Sequence, residues 1–167
     1  MRYKEFDVKK EVITIFLLYM AILAYAEDSY QAATITKAAI SIGPEWNMNS
    51  RDNFAAGAVL AFDFNLGSSF ALGINATASS NFDGIFVIEP AAMFRWYFLS
   101  REHIGWFAQA DAGMSLILED GDTTSLLLGG LRAGLRLPLG DKFFVEPFGR
   151  LGYPFVFGVG GLVGVRF

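Results

Sequence analysis

Eight stretches of this sequence alternate between large apolar residues and small or polar residues with a period of two. In residues 54–64, Leu60 and Phe62 share one parity, whereas Gly57 and Asp63 share the other. Such alternation is typical of β-strands with two unlike faces, and these stretches lack the i, i+3, i+4, i+7 spacing of amphipathic helices. The predicted strands cover residues 36–46, 54–64, 69–78, 86–98, 104–117, 126–138, 143–153 and 155–167.

The segments between these predicted strands fall into two alternating sets. Tight turns are expected at residues 65–68, 99–103 and 139–142, and the other connectors at 47–53, 79–84, 119–125 and near Pro154. Because the number of strands is even, both chain termini lie at the end that carries the tight turns. The sequence therefore predicts an all-β fold, a closed antiparallel eight-stranded up-and-down β-barrel.

The N-terminal segment has the pattern of a secretory signal peptide. Basic residues precede an apolar run at residues 12–23, and Ala24-Tyr25-Ala26 follows as an A-x-A cleavage site. The run is shorter than the roughly 20 residues that a transmembrane helix requires. Residues 1–26 are thus predicted to be a cleaved signal peptide, and residues 27–167 a single domain.

Charge and composition exclude several classes of partner and binding site. The chain carries a net charge of −4, which argues against nucleic acid as a partner, and it has no cysteine for disulfides or thiolate metal sites. It is 53% hydrophobic but only 18% charged, whereas soluble domains average about 25% charged residues. An apolar secreted chain of this kind must hide its surface in some way other than a helical membrane anchor.

The two strand faces discriminate a soluble lipocalin-like barrel from a transmembrane barrel. A soluble barrel would show large charged side chains on its polar face, whereas a small membrane barrel needs a small-residue interior with a few charges that can pair. The polar face here is mostly Gly, Ala, Ser, Asn and Thr, and the apolar face carries no charge. Ten charged residues share the polar face: Glu45, Asp63, Glu89, Arg95, Asp111, Arg132, Arg136, Glu146, Arg150 and Arg166.

Two further patterns favour the membrane barrel. Three predicted strands contain two charges each, and in all three the spacing is even, so that both charges share one face. Aromatic residues on the apolar face fall near strand ends, where interfacial girdles would lie: Trp46, Trp96, Phe98, Trp106, Tyr153, Phe155 and Phe167. The expected surroundings of that face are the lipids of the outer membrane.

The signal peptide, the eight strands and the terminal "VGVRF" together resemble a small bacterial outer-membrane β-barrel protein of the OmpA/OmpX type. The resemblance implies periplasmic termini and insertion by the barrel-assembly machinery, and a monomer is expected. It also implies that the C-terminal strand serves as the insertion signal, carried by Val159, Val163, Val165 and Phe167, with Gly161 interrupting the row. Short predicted surface loops set this chain apart from the group and argue against loop-mediated adhesion.

Residues capable of chemistry are sparse. His103 stands alone in a predicted turn, without a serine or an acidic residue placed beside it as a catalytic histidine requires. The acidic residues 119–122 lack the loop length and the distal Glu of an EF-hand calcium site. Neither a cofactor, a metal nor an enzymatic activity is predicted. An outer-membrane lipid-modifying enzyme is the least favoured hypothesis and would require His103.

The inward charges leave two functional interpretations open. They can pair into a salt-bridge network that plugs the lumen of a structural or surface-interaction protein, since buried charges are retained when they are paired. They can also line a small porin-like channel for small solutes. The plug is favoured, because side chains can fill the interior of an eight-stranded barrel. No extracellular ligand is indicated by the sequence.

Overall fold

The computed structural model describes residues 38–48, 54–67, 69–98, 105–119 and 121–167, which form a closed antiparallel barrel of eight strands. The strands are β1 (Ala38–Met48), β2 (Phe54–Leu66), β3 (Phe70–Ser80), β4 (Ile85–Tyr97), β5 (Gly105–Glu119), β6 (Asp122–Leu139), β7 (Phe143–Tyr153) and β8 (Phe157–Arg166). The predicted fold class is confirmed. The predicted signal peptide and His103 lie outside the described residues, within which no helix is long and apolar enough to cross a membrane.

Pairing between β1 and β8 closes the barrel. The register runs from Ala39 opposite Arg166 to Met48 opposite Phe157. At the end of this seam the backbone of Ala38 exchanges two hydrogen bonds with that of Phe167, with N···O distances of 3.0 and 2.9 Å. Each of the eight strands therefore has a partner on both sides along most of its length.

The period of two in the sequence matches the two faces of the barrel wall. Along β2, Val59 and Asp63 are buried, whereas Leu60 and Phe64 are about half exposed on the outside. The outward positions of the described strands carry no charged residue. We call the end with Ala38, Phe167, the turn residue Gly67 and the turn at 140–142 the turn end, and the opposite end the loop end.

The β5–β6 hairpin extends further than the sequence predicted. Residues 119–125 were expected to be a connector, but β5 continues to Glu119 and β6 begins at Asp122, with Gly121 in the left-handed region at φ 90°. The β-branched Thr123 and Thr124 favour strand structure and pair with β5. Among the described residues, β6 pairs with β7 only from Gly129 onward, so residues 122–128 have no partner strand on that side.

The prediction for Phe155 is wrong. Phe155 was expected to lie on the outer face at the end of the last strand, but β8 begins two residues later, at Phe157. The segment before it turns the Phe155 side chain inward, where it is 7% exposed and packs with Ala55 and Val87. Side chains alternate between the two faces only within a strand, so the alternation along β8 does not predict the direction of the Phe155 ring.

Three inward phenylalanines each lie directly opposite a glycine on the neighbouring strand. The pairs are Phe107 with Gly134, Phe148 with Gly160 and Phe144 with Gly164. A Cβ atom at the glycine would lie 2.2–2.6 Å from the nearest ring atom in every pair. The absent side chain therefore makes room for a ring packed against the barrel wall, an arrangement that pins strand register.

Gly164→Ala is predicted to destabilise the barrel. Its Cβ would lie 2.2 Å from Cζ of Phe144, which is only 1% exposed, so overpacking should lower the free energy of unfolding by about 1–3 kcal/mol. Gly161→Ala is the matched control on the same strand, because its Cβ would come no closer than 3.9 Å to a neighbour. Urea titrations followed by tryptophan fluorescence measure both variants, and equal midpoints would contradict the packing argument.

Candidate functional site

Nine of the ten predicted inward charges converge inside the barrel. All nine are between 0 and 6% exposed: Glu45, Asp63, Glu89, Arg95, Asp111, Arg132, Arg136, Glu146 and Arg150. They come from six strands, and their inward direction follows from strand parity alone. These residues form two clusters, one toward each end of the barrel.

The turn-side cluster consists of Asp63, Arg95, Arg136 and Glu146. Arg95 Nη1 donates to Glu146 Oε1 at 2.8 Å, and Arg136 Nε donates to the same carboxylate oxygen. Arg136 Nη2 also donates to Asp63 Oδ2 at 2.8 Å, and Arg95 Nη1 lies 3.7 Å from that oxygen. Two guanidinium groups and two carboxylates thus alternate in a closed ring of ion pairs with no net charge.

The loop-side cluster consists of Glu45, Glu89, Asp111, Arg132 and Arg150. Arg150 donates to Glu45 Oε1 and to Glu89 Oε2, both at 2.8 Å. Arg132 lies 3.5 Å from Glu45 Oε2 and 3.7 Å from Asp111 Oδ2. With three carboxylates and two guanidinium groups, this cluster has a net charge of −1 when all members are ionised.

Gln109 joins the two clusters into one network, and Asn75 extends the loop-side cluster. Gln109 Oε1 accepts from Arg95 Nε at 2.8 Å, and Gln109 Nε2 donates to Asp111 Oδ1 at 2.7 Å. Asn75 Nδ2 donates to the same aspartate oxygen at 2.7 Å. Neither Gln109 nor Asn75 was predicted to belong to the network, although their inward parity beside charged positions could have indicated them.

Aromatic rings support three of the four buried guanidinium groups. The guanidinium carbon lies 4.2 Å from the ring centroid of Phe107 for Arg95, 4.4 Å from that of Phe148 for Arg132, and 4.0 Å from that of Phe144 for Arg136. These are the same three rings that lie opposite glycine. Each arginine therefore has a ring on one side and carboxylates within reach, which compensates part of its lost hydration.

Arg166, the tenth predicted inward charge, lies apart from the two clusters. It is partly exposed at the turn end, and its Nη2 donates to the carbonyl oxygen of Gly140 at 3.2 Å. The neighbouring outward residues of β8, Val159 and Val163, are 43% and 58% exposed, and Phe167 is 64% exposed. The role of this row as an insertion signal stays a prediction.

The arrangement neutralises buried charge by pairing. Every buried arginine lies within 4.0 Å of at least one carboxylate oxygen. Among the described residues, no group of three or more His, Cys, Asp or Glu side chains is placed to hold a metal ion. What the geometry supports is a rigid, internally paired polar core.

No protein family matches the sequence by its family profile, and no curated protein matches it in sequence. Solved structures do resemble the barrel. The N-terminal β-barrel domain of OprF from Pseudomonas aeruginosa aligns with a TM-score of 0.61 at 13% identity, covering 79% of this chain and 98% of that domain. Neisserial surface protein A aligns with a TM-score of 0.60 at 9% identity, covering 78% of this chain and 96% of that one.

A third similar structure is Ail, the attachment invasion locus protein of Yersinia pestis. It aligns with a TM-score of 0.51 at 14% identity, covering 78% of this chain and 97% of that one. All three are small outer-membrane β-barrels. At 9–14% identity these likenesses establish the fold, and this chain has the closed eight-stranded barrel fold of small outer-membrane proteins.

Proposed function

We propose that this protein is an integral barrel of the bacterial outer membrane, with a structural or surface-interaction role and a lumen closed by its salt-bridge network. The observation that carries the proposal is the outer face. Large apolar side chains stand about half exposed all around the barrel, among them Ile42, Leu72, Phe94, Leu131 and Val163. Exposed apolar area of this extent marks a surface that is covered, and a belt around a closed barrel is covered by lipid.

The charge distribution supports the same surroundings. A Lys or Arg facing the middle of a bilayer costs about 2–4 kcal/mol, and the outward strand positions described here carry none. Trp106 and Tyr153 lie outward near opposite ends of the wall, 51% and 59% exposed. Amphipathic rings at these positions suit the two interfaces of a bilayer.

The network is proposed to plug the lumen. Its two clusters, joined by Gln109, span the interior from Asp63 near the turn end to Glu89 near the loop end. The rings of Phe107, Phe144 and Phe148 fill the wall beside them and are at most 6% exposed. An ion crossing this layer would have to displace paired charges that water does not reach.

A surface-interaction role has one specific observation in its favour. Residues 122–128 of β6 have no partner strand on the β7 side within the described structure, and such an edge can pair with an extended segment of another protein. The described loop-end charges near the hairpins, Asp83, Glu119 and Asp122, are acidic. Ail has been solved with the heparin analogue sucrose octasulfate, but acidic residues do not favour a polyanion here.

A small channel is the alternative function. Toward the loop end, Asn47, Thr77 and Ser79 are at most 1% exposed and carry side-chain polar atoms without a hydrogen-bond partner within the described structure. Polar groups of this kind can solvate ions or water. The alternative requires a path past the ring-supported arginines, which the geometry disfavours. No enzymatic role is proposed.

Membrane insertion and topology are testable together. Wild-type protein refolded into vesicles should migrate differently on a gel before and after boiling. The chain has no cysteine, so Asp83→Cys at the loop end and Asp141→Cys at the turn end give single labelling sites. In intact cells a membrane-impermeant maleimide should label the first variant and not the second. Equal labelling, or the absence of a band shift, would contradict the proposal.

Planar-bilayer recordings distinguish the plug from the channel. Folded wild-type protein should produce no sustained conductance, because the paired arginines and their rings occupy the lumen. The recording needs a porin inserted in the same bilayer as a positive control. Stable stepwise currents from the wild-type barrel would overturn the plug.

Glu146→Gln should strongly destabilise the barrel. Glu146 accepts hydrogen bonds from both Arg95 and Arg136, and its neutralisation leaves two buried guanidinium groups with Asp63 as the remaining carboxylate of the turn-side cluster. Breaking a buried pair costs about 3–5 kcal/mol. Glu119→Gln, at the exposed end of β5, is the control and should change stability by less than about 0.5 kcal/mol. Similar urea midpoints for the two variants would count against the network as a stabilising core.

A further inference from the structure

Four inward oxygen-bearing side chains lie together on three consecutive strands in the loop-side half of the lumen. Thr77 of β3 lies directly opposite Glu89 of β4, at the usual cross-strand Cβ separation of about 5 Å. Strand β5 brings Ser115 beside Glu89, because the adjacent residues Ile88 and Leu116 are paired. We call this group the oxygen site, and its members are Thr77, the next inward residue of β3, Ser79, and the pair Glu89 and Ser115.

The oxygen atoms of this site are buried and lack partners. Each of the four residues is at most 1% exposed. The three hydroxyl oxygens and Oε1 of Glu89 have no hydrogen-bond partner among the residues that the structure describes. A buried polar atom without a partner costs about 1–3 kcal/mol. Four such atoms on neighbouring strands therefore indicate a small ligand that they contact together.

The charge of the loop-side cluster indicates the sign of that ligand. Its three carboxylates exceed its two guanidinium groups by one negative charge. Asp111, at one end of this chain of ion pairs, accepts two amide hydrogen bonds at Oδ1. Glu89, at the other end, accepts from Arg150 at Oε2, and its second oxygen belongs to the oxygen site. A buried charge without compensation costs several kcal/mol, and a cation neutralises it whereas water does not.

An apolar cap separates the oxygen site from the loop end of the barrel. Phe155 packs with Ala55 and Val87, and Ile117 packs against this group. Because Val87 lies directly opposite Ser79, the cap is immediately adjacent to the oxygen site. Apolar surroundings lower the local dielectric constant and strengthen the attraction between a cation and the Glu89 carboxylate.

We propose that the oxygen site binds one monovalent alkali-metal cation, such as sodium. Hydroxyl and carboxylate oxygens are ligands that suit hard cations. A single positive charge brings the loop-side cluster to neutrality, whereas a divalent ion would leave an excess of one positive charge. Lying between the cap and the buried arginines, the ion is a resident part of the polar core rather than a conducted species.

The dependence of stability on the cation tests the proposal with wild-type barrel refolded in detergent micelles. Urea midpoints are compared in sodium chloride and in choline chloride at equal ionic strength, because choline is too large for the site. A ligand that binds only the folded state stabilises it, so sodium should raise the midpoint until the site is saturated. Sodium NMR relaxation should report the same binding directly. Equal midpoints in the two salts, or stabilisation by calcium chloride but not by sodium chloride, would overturn the monovalent site.

Thr77→Val locates the ion, since it removes one ligand while keeping the side-chain volume and every ion pair. It should weaken the apparent sodium affinity about tenfold, equivalent to about 1.4 kcal/mol. Thr124→Val, at an exposed position of β6, is the matched control and should keep the wild-type affinity.

Glu89→Gln gives a second test, because it removes the unbalanced charge and should abolish the sodium effect in protein whose band shift on boiling shows that it has folded. Sodium stabilisation that is unchanged in Thr77→Val would place the ion elsewhere and overturn the proposed site. None of these measurements depends on membrane insertion or on conductance. Their failure would therefore leave the proposed function intact.

Discussion

The interior of this barrel depends on arginines that lie between an aromatic ring and a carboxylate. Arg95, Arg132 and Arg136 each stack on a phenylalanine, and each of those rings fits against a glycine of the next strand. The glycine makes room for the ring, the ring covers the guanidinium, and the guanidinium pairs with carboxylates across the lumen. Substituting the glycine, the phenylalanine or the arginine disturbs the contacts of the other two. Such a change is destabilising because a buried guanidinium without its partners is costly.

The outer face explains why the charges are concentrated inside. If the outward positions face lipid, as proposed, every charge in the membrane-spanning part of the chain must point inward, where the volume is too small for free hydration. Pairing is then the available form of compensation, and five carboxylates against four guanidinium groups come close to neutrality. The amide groups of Asn75 and Gln109 extend this compensation with hydrogen bonds that carry no further charge.

The period-two alternation along each strand predicts which residues face inward, and this made most of the fold predictable. The residues that departed from prediction lie outside the regularly alternating stretches. Leu60 and Asp63 fall on the predicted faces because each is inside a regular strand. Phe155 does not, because it precedes β8, and the β5–β6 hairpin continues beyond the alternating pattern because its end is exposed on both faces. Which acid meets which arginine was not predictable, since partners such as Glu45 and Arg150 are 105 residues apart and meet only across the closed lumen.

These long separations bear on how the barrel can assemble. Glu45 on β1 pairs with Arg150 on β7, and Asp63 on β2 pairs with Arg136 on β6, so neither bond exists in a partly formed sheet of neighbouring strands. If the outer face meets lipid as proposed, an open sheet in the membrane would carry these charges without partners, at a cost of several kcal/mol for each ion. The pairs become favourable only when β8 meets β1. If the barrel inserts into the outer membrane as proposed, the network therefore favours closure together with insertion and disfavours a membrane-inserted intermediate with an open edge.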